Sequence, residues 1–327
     1  MAHFLVTGGA GYVGSILVRD LLHDGHGVTC LDNLRYGGES LIDIWSHPRF
    51  RFRKCDIRDF QAVDALFDEA SFDGVIHLAA IVGDPACKKE PEVATATNWD
   101  ASVHLLDKAR ASGAPRFVFA STCSNYGKMA DPAGYVSEDS PLAPVSLYAE
   151  LKVRFEKYML GEIPRSSSFA PTSLRFSTVY GLSPRMRFDL TVNEFTKFLA
   201  LGQELVVFGG QFWRPYCHVS EFSRAIRAVL AAPPEKVAYD VFNVGHTAEN
   251  YTKDMIVEEL KRQFPDAHVR QVARSEDPRD YRVDFSKIRN VLGFETSVTV
   301  PDGIREVREV LQLGLFAEPD HKRYYNS

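Results

Sequence analysis

The sequence predicts an α/β fold in which a doubly wound parallel sheet is followed by a smaller, mixed α/β region. Three observations support this prediction. Short apolar segments alternate with longer amphipathic ones over the first part of the chain, a glycine-rich turn joins the first apolar segment to the first amphipathic one, and the alternation becomes irregular later. Strand–helix alternation of this kind is typical of a parallel sheet that helices cover on both faces.

The predicted strands of the first part are short and rich in branched and aromatic residues. In chain order they are HFLVT (3–7), VTCLD (28–32), FRKCDI (52–57), GVIHLAA (74–80), RFVFAS (116–121) and TSLRFST (172–178). Between them we predict helices over 12–24, 59–70, 92–112 and 146–162. The segment 60–70 shows apolar residues at helical spacing, as expected for a helix that covers a sheet.

The second part of the chain is less regular, and we expect it to cross more than once between the two regions. Its predicted helices lie near 189–201, 220–231, 252–264, 286–292 and 302–313, and its predicted strands are LVVFGG (205–210) and VFNVG (241–245). The last residues, HKRYYNS (321–327), are predicted to form a surface tail.

The composition limits the classes of binding partner and the cellular compartment that we expect for this protein. The 327 residues leave room for about two domains. A net charge of −5 argues against nucleic acid or an anionic membrane as the main partner, and no apolar run is long enough to predict a transmembrane helix. The first residues lack the pattern of a signal peptide. Five scattered cysteines without a CxxC predict neither a metal site nor a disulfide framework, and they favour a reducing cytoplasm.

The turn TGGAGYVG (7–14) is the first candidate for a binding site. It contains GxGxxG at Gly9, Gly11 and Gly14, and it also reads as GxxGxxG from Gly8. Glycines there allow a tight turn, a close approach of the backbone to a pyrophosphate, and close packing of helix on strand. The start of the following helix adds free N–H groups and a partial positive charge. The turn therefore predicts a Rossmann-type dinucleotide site.

Asp32 ends the second predicted strand, where a carboxylate can accept hydrogen bonds from the adenosine ribose and repel a 2′-phosphate. Its position favours NAD over NADP, although Arg35 nearby keeps the second cofactor open. The simpler interpretation is that Asp32 is a turn residue after a strand. The glycine turn makes the cofactor interpretation the better one.

Tyr148 and Lys152 in YAELK (148–152) are four residues apart, so a helix would place both on one face. This spacing is common by chance. Thr122, however, lies at the end of the fifth predicted strand, and ligands of a doubly wound sheet bind beyond the carboxyl ends of its strands. We therefore expect Thr122 to lie in the same layer as Tyr148.

With these motifs, the sequence resembles the extended short-chain dehydrogenases/reductases, and among them the NAD-dependent nucleotide-sugar epimerase/dehydratase family. The resemblance covers nearly the whole chain. It is carried by TGGAGYVG (7–14), LDNL (31–34), DIRD (56–59), HLAA (77–80), Asn98 in TNWDAS, STCSNYG (121–127), YAELK (148–152), LRFSTVYG (174–181) and RPYCHVSE (214–221). It implies an NAD-binding Rossmann domain over 1–175, to which 212–245 returns, and a mainly substrate-binding region over 176–327.

The resemblance also implies roles for individual residues. Tyr148 would transfer a proton, Lys152 would hold the nicotinamide ribose, and Thr122 would hydrogen-bond the reacting hydroxyl. The implied cofactor-binding residues are Gly8, Gly11, Tyr12, Val13, Gly14, Asp32, Asn33, Asp56, Ile57, Leu78, Ala79, Ala80, Asn98, Tyr148 and Lys152. The implied substrate-binding residues are Thr122, Cys123, Ser124, Asn193, Arg187, Arg214 and Arg274, and Arg185 is a further candidate for a phosphate contact.

Proton transfer by Tyr148 requires that its neighbours lower the pKa of its phenol. A free tyrosine has a pKa of about 10, and lowering it to about 7 requires roughly 4 kcal/mol in favour of the phenolate. A nearby Lys152 ammonium and a positively charged nicotinamide could together provide that stabilisation. We therefore expect Tyr148 to act as a general base near neutral pH.

The resemblance leaves several reactions open, and the residues after Thr122 discriminate among them. Family members that eliminate water carry Asp-Glu directly after the threonine, where this chain has Cys123 and Ser124. Members that epimerise at positions 3 and 5 use a cysteine two residues before a tyrosine, whereas Cys123 is three before Tyr126. A 4-epimerase acting on a nucleotide sugar, with tightly retained NAD, is the expected activity. A dehydratase, a net sugar oxidoreductase and a non-enzymatic NAD-binding protein are the alternatives.

The remaining expectations are structural. Cys123 is expected to be a small buried residue, and His77 and His218 are expected to be packed or hydrogen-bonded rather than catalytic. By the resemblance, the chain would form a homodimer through the helices near 92–112 and 146–162.

Overall fold

The structure, a computed structural model, describes residues 1–129, 131, 134–273 and 279–326. Its strands are β1 (His3–Thr7), β2 (Gly27–Asp32), β3 (Phe50–Lys54), β4 (Gly74–His77), β5 (Arg116–Thr122), β6 (Ala170–Phe176), β7 (Thr178–Tyr180), β8 (Leu205–Phe208), β9 (Trp213–His218), β10 (Asp240–Val244), β11 (Asn250–Thr252) and β12 (Val269–Val272). Its α-helices are α1 (Gly14–His23), α2 (Phe60–Glu69), α3 (Asp84–Lys89), α4 (Pro91–Thr95), α5 (Ala101–Ala111), α6 (Leu147–Lys157), α7 (Thr191–Ala200), α8 (Val219–Ala231), α9 (Pro234–Val237), α10 (Lys253–Gln263), α11 (Ser286–Leu292) and α12 (Val300–Gln312).

Seven parallel strands form the large sheet, in the order β10-β6-β5-β4-β1-β2-β3. Strand β1 pairs with β2 on one side and with β4 on the other, so that Thr7 is in register with both Leu31 and His77. The order reverses direction at this point, and such a switch opens a crevice at the carboxyl ends of the strands. The predicted doubly wound parallel sheet is confirmed.

Alternating residues of the sheet pack on opposite faces, as the two-residue period of a strand requires. Leu5 packs with α5 and α6 in one apolar cluster, whereas Val6 packs with α1 and α8 in the other. Every residue of β6 is buried. Burial on both faces explains why the strands read as continuous apolar segments rather than as alternating ones.

A buried ionic network joins α6 to β6 and so positions the helix that carries Tyr148. The Arg175 guanidinium lies 2.5 Å from the Glu156 carboxylate, and both side chains are almost fully buried. Arg175 also donates to the Tyr126 hydroxyl at 2.8 Å, and Tyr126 donates to Asn243 on β10 at 2.7 Å. The network therefore ties helix, central sheet and edge strand together.

Two smaller sheets, β11-β9-β7 and β12-β8, belong to the second part of the chain, where the sequence patterns were weakest. Strands β7, β9, β11 and β12 were not predicted as separate strands. Strands β7 and β11 have three residues each, which is too short for a periodic pattern, and β9 contains Pro215, which disfavours a strand assignment from sequence. The predicted strand at 52–57 is wrong in its bounds, since β3 ends at Lys54. The predicted helix at 92–112 consists of α4, a π-helical turn and α5.

Over the described ranges of the chain, no helix is long and apolar enough to span a bilayer. All five cysteines are free. The part of the chain that the structure describes also holds no group of three or more His, Cys, Asp or Glu side chains that could bind a metal ion.

Candidate functional site

A cavity of about 410 Å³ lies at the carboxyl ends of the central strands. Residues at or just after the carboxyl ends of β1, β2, β4 and β5 contribute to its wall, as the strand order predicts. The predicted site residues that line it are Gly8, Gly11, Tyr12, Val13, Gly14, Asp32, Asn33, Asp56, Ile57, Leu78, Ala79, Ala80, Thr122, Ser124, Tyr148, Lys152 and Arg187. Segments far apart in the sequence therefore meet in one cavity.

The glycine turn between β1 and α1 forms one wall of the cavity. A Cβ on Gly14 would lie 2.2 Å from the Gly8 carbonyl oxygen, so the packing of helix on turn requires glycine there. A Cβ on Gly11 would meet only that oxygen, at 3.1 Å, and would otherwise extend into open space. The backbone at Gly11 is thus open to a ligand beside the N-terminus of α1, which suits a pyrophosphate.

The Asp32 carboxylate lies beside this turn at the end of β2. One oxygen accepts a hydrogen bond from the Ala10 N–H at 3.0 Å, and the other accepts one from the Leu34 N–H at 2.8 Å. Burial raises the pKa of Asp32, an effect that these two hydrogen bonds and the positive charge of Arg185 oppose. Its remaining lone pairs can accept hydrogen bonds from ribose hydroxyls, so the site fits NAD.

Arg185 lies at this end of the cavity, where the sequence patterns had suggested only a possible contact with a substrate phosphate. Its guanidinium lies over the Tyr36 ring, 4.5 Å from the centroid, and its buried Nε has no hydrogen-bond partner. Burial, followed by the neighbouring charge of Arg187, lowers the pKa of Arg185 to about 10. A buried cation with an unpartnered N–H on the cavity wall fits an anionic group such as the pyrophosphate of NAD.

Tyr148 and Lys152 face the cavity from the first turns of α6. The helix begins at Leu147, and the Ser146 hydroxyl caps it by accepting a hydrogen bond from the Ala149 N–H. Lys152 Nζ donates to the Ala120 carbonyl at 2.6 Å and lies 5.9 Å from the centroid of the Tyr148 ring. The four-residue spacing therefore brings the two groups together as predicted.

The electrostatics of this pair differ from the expectation for Tyr148. Burial raises the pKa of the Tyr148 phenol, and Cys87 adds to this effect while Arg187 opposes it. Burial lowers the pKa of Lys152 to about 7. The expected lowering of the tyrosine pKa relied on the nicotinamide as well as on Lys152; the protein's own groups raise this pKa, because burial outweighs the opposing charge of Arg187.

Thr122 lies at the end of β5 and also lines the cavity. Its hydroxyl oxygen accepts a hydrogen bond from the Ser124 N–H at 3.1 Å, which holds the side chain in place at the start of a short 3-10 helix. Tyr281 and Arg279 line the cavity as well, and sequence reasoning missed both. The segment that carries them reaches the site by pairing as single bridges with the loop after β5, which leaves no periodic signal.

The acidic groups of the cavity lie at one end of it. Among the lining residues that the structure describes, the carboxylates are Asp32, which ends β2, and Asp56, which follows β3. Asp56 pairs with Arg58, which holds the pKa of that carboxyl well below its usual range. The part of the cavity wall around Tyr148 contains hydroxyl, phenol, amine and guanidinium groups but, within the described ranges, no carboxylate.

Two predicted contacts are corrected because their side chains face the protein interior. The Cys123 thiol donates to the Arg175 carbonyl at 3.2 Å in the apolar core, and burial raises its pKa. Asn98 exchanges two hydrogen bonds with the Ile81 backbone, at 2.8 and 2.9 Å. Neither residue lines the cavity. Asn98 instead supports the wall segment at Ile81.

The predicted substrate contacts of Asn193 and Arg214 also lie off the cavity wall. Asn193 is fully buried and hydrogen-bonds Tyr12, Gly181 and Arg187, so that it braces the wall from behind. Arg214 donates to the Trp213 carbonyl at 2.6 Å and lies over the Tyr281 ring. The last predicted contact, Arg274, lies outside the described residues.

His77 and His218, which the sequence predicts to be structural, make hydrogen bonds within the protein. His77 is buried between the Thr7 and Ser102 hydroxyls, at 2.8 and 2.9 Å, and burial lowers its pKa to about 3. His218 caps α8 through Ser220 and lies 2.9 Å from the Glu306 carboxylate. Neither histidine lines the cavity.

Comparison with known proteins gives a consistent result over most of the chain. The model of the NAD dependent epimerase/dehydratase family matches residues 4–245. A dTDP-glucose 4,6-dehydratase of Streptomyces griseus is 33% identical, with 92% of each chain covered. A UDP-glucose 4-epimerase of Mycolicibacterium smegmatis is 32% identical, covering 93% of this chain and 97% of the relative.

Among solved structures, the UDP-glucose 4-epimerase of Thermotoga maritima, determined with UDP-glucose, superposes with a TM-score of 0.84. It is 28% identical, and the match covers 96% of this chain and 99% of that one. Relatives that epimerise and relatives that dehydrate are thus about equally similar to this sequence.

Proposed function

The chain belongs to the NAD-dependent epimerase/dehydratase family, so its cofactor is NAD, and we propose that it epimerises a nucleotide sugar at C4 through a transient 4-keto sugar. The observation that carries this proposal is the chemistry of the cavity around Tyr148. The wall there offers a proton-transfer pair but, among the described residues that line it, no carboxylate. Asp84, whose charge acts on the pKa of Tyr148, lies off the wall, where it accepts a hydrogen bond from the Ser146 hydroxyl and pairs with Arg279. Elimination of water needs further acid and base groups, whereas C4 epimerisation does not.

The cofactor, when bound, supplies a hydride acceptor and donor. The protein residues then have to hold the sugar and move one proton. Thr122 hydrogen-bonds the C4 hydroxyl, and Tyr148 removes its proton as the keto group forms. The keto sugar rotates in the cavity before Tyr148 returns the proton. Cys123 cannot act here, because its thiol faces the core.

Lys152, whose Nζ lies 5.9 Å from the centroid of the Tyr148 ring, supports this proton transfer. Its ammonium, with the positive nicotinamide, would offset the burial that raises the pKa of the phenol. Because the pKa of Lys152 is about 7, its charge falls as the pH rises through neutrality. Lys152 would also donate to the nicotinamide ribose while it keeps its hydrogen bond to the Ala120 carbonyl.

We assign two arginines to the phosphate groups of the cofactor and of the substrate. Arg185, with its unpartnered Nε near Asp32, would contact the pyrophosphate of NAD together with the Gly11 turn. Arg187 lies close enough to Tyr148 to affect the phenol's pKa and pairs with Asp189 at 2.7 Å. We assign Arg187 to the substrate diphosphate, for which guanidinium geometry is well suited.

The reaction is tested by incubating the protein with a panel of UDP- and dTDP-sugars and analysing products by mass spectrometry and NMR. The expected product has the mass of its substrate and an inverted C4. A product lighter by one water would contradict the proposal and would support the dehydratase activity of some relatives. Stoichiometric reduction of added NAD would instead indicate a net oxidoreductase.

The role of Tyr148 is tested with Tyr148→Phe, and Tyr158→Phe serves as the matched control. Both changes remove one hydroxyl from the same helical segment, but Tyr158 bonds Asp107 outside the cavity. We expect Tyr148→Phe to lower kcat by about 10² or more while NAD still binds, because general acid–base groups typically contribute that much. Unchanged kcat in Tyr148→Phe would refute the assignment.

The domain bounds, the oligomeric state and the cellular setting are also proposals. We assign 1–175, together with 212–245, to the NAD-binding domain and most of 176–327 to the substrate-binding domain. The place of β10 in the large sheet supports the return of 212–245. We also propose a homodimer formed through α5 and α6, testable by light scattering, and a reducing cytoplasmic setting, which the free cysteines support.

A further inference from the structure

The segment 318–326, here called the strap, lies on the protein surface, as predicted for the tail 321–327, and specific contacts attach it there. The Phe188 N–H donates to the Tyr324 carbonyl at 2.9 Å. The Tyr324 ring packs edge-on against Phe188 and Phe316, with a centroid distance of 5.5 Å in each case. The strap is thus attached to the apolar cluster that also contains Tyr12, beside the glycine turn.

Polar contacts fix the strap at three further points. Lys197 on α7 is buried, and its ammonium pairs with Asp320 and donates to the Tyr325 hydroxyl at 2.7 Å. The Asn326 N–H donates to the Asp189 carboxylate at 3.1 Å. Burying a lysine is costly unless it is paired, so these contacts with Lys197 are a strong anchor.

The far end of the strap forms part of the cavity wall. Asn326 lines the cavity, and its carbonyl accepts a hydrogen bond from the Tyr36 hydroxyl at 3.3 Å. The Tyr325 carbonyl lies 3.5 Å from a guanidinium nitrogen of Arg185, whose charge acts on Asp32. The strap therefore crosses the end of the cavity where Asp32 and the glycine turn would hold the adenosine ribose and pyrophosphate.

We propose that the strap closes this end of the cavity over bound NAD, that Asn326 contacts the cofactor, and that the strap sets the rate at which NAD leaves. The inference rests on the proposed placement of NAD in the cavity but not on C4 epimerisation. An enzyme that returns the hydride to its substrate has no need to exchange the cofactor. A segment that must detach before the cofactor can leave makes NAD a retained group.

The contacts also connect the strap to the substrate side of the cavity. The Asp189 carboxylate accepts hydrogen bonds from the Arg187 guanidinium, at 2.7 and 2.9 Å, and from the Asn326 N–H. Arg187 in turn affects the pKa of Tyr148. Opening the strap removes one of the partners of Asp189, so retention of the cofactor and orientation of Arg187 depend on the same carboxylate.

The test uses variants that break the anchors outside the cavity. Tyr324→Ala removes the aromatic packing, and Lys197→Met removes the buried ammonium while nearly preserving its volume. Lys322→Ala is the matched control. This exposed strap residue lies in sequence between Asp320, which pairs with Lys197, and Tyr324, and it does not line the cavity. Each protein is loaded with NAD, freed of excess by gel filtration, and mixed with a soluble dehydrogenase and its substrate, which reduce released NAD.

We expect NAD release to be at least about tenfold faster in Tyr324→Ala and in Lys197→Met, and unchanged in Lys322→Ala. Far-UV circular dichroism and a melting curve establish that each variant is folded. The two variants break different contacts, the aromatic packing of Tyr324 and the polar contacts of Lys197, so each tests the strap separately. Release at the wild-type rate from either folded variant would overturn the role of the strap. A wild-type protein that binds no NAD in a direct titration would overturn the placement of the cofactor itself, which distinguishes the two failures.

Discussion

Replacing Lys152 by methionine removes an amine that the fold buries beside Tyr148 and leaves a side chain of similar length. Lys152 is 4% exposed, and its amine donates to the Ala120 carbonyl. Burial lowers its pKa from 10.5 to about 7. The lowered pKa makes the free energy of unfolding depend on pH, because the folded and unfolded chains bind different numbers of protons over a defined pH range.

The size of the effect follows from the two pKa values of Lys152. Between about pH 7 and pH 10.5 the unfolded chain keeps the proton that the folded chain has lost, so the free energy of unfolding rises with pH. Below pH 7 both states are protonated, and the buried ammonium costs about 5 kcal/mol at 1.36 kcal/mol per pH unit. From pH 6 to pH 9 the wild-type protein therefore gains about 3 kcal/mol from this group.

The assay is urea unfolding of NAD-free wild-type and Lys152→Met proteins at pH 6, 7.5 and 9. The difference between the two unfolding free energies cancels the other titrating groups, and we expect it to shift by about 3 kcal/mol in favour of the wild type. The exposed Lys157 on the same helix provides the control, because Lys157→Met should cause no comparable shift. A difference for Lys152→Met that stays constant across this range would refute the burial argument.

Two further predictions concern the turn and the core. Gly14→Ala places a Cβ 2.2 Å from the Gly8 carbonyl oxygen, so we expect NAD affinity, measured by fluorescence titration, to fall at least about tenfold. Glu156→Gln leaves the buried Arg175 guanidinium without its charged partner, so we expect the free energy of unfolding, measured with urea, to fall by about 3 kcal/mol.

Each of these predictions has a control in the same chain. Gly161→Ala adds a methyl group that would meet nothing within 4 Å, so NAD affinity should not change. Glu69→Gln disrupts an ion pair with Arg53 in which both side chains are more than half exposed, so the cost should stay below about 1 kcal/mol. Equal effects of the buried and exposed changes would contradict the reasoning from burial.

The sequence alone determined the features that depend on short-range patterns. The glycine turn, the following helix and Asp32 could be recognised because their residue types and spacing are dictated by local geometry. Tyr148 and Lys152 could be placed on one face because a helix brings residues four apart together. The parallel sheet followed from its continuous apolar strands, and the family from the combination of these motifs.

Only the tertiary structure decided how those groups are surrounded. It turned Cys123 toward the core, brought Arg185 next to Asp32, and placed the strap at the cavity mouth, since each depends on packing between segments distant in the chain. It also set the pKa of Lys152 near 7 and raised that of Tyr148. Desolvation depends on every neighbouring element, and a spacing pattern in the sequence carries no information about it.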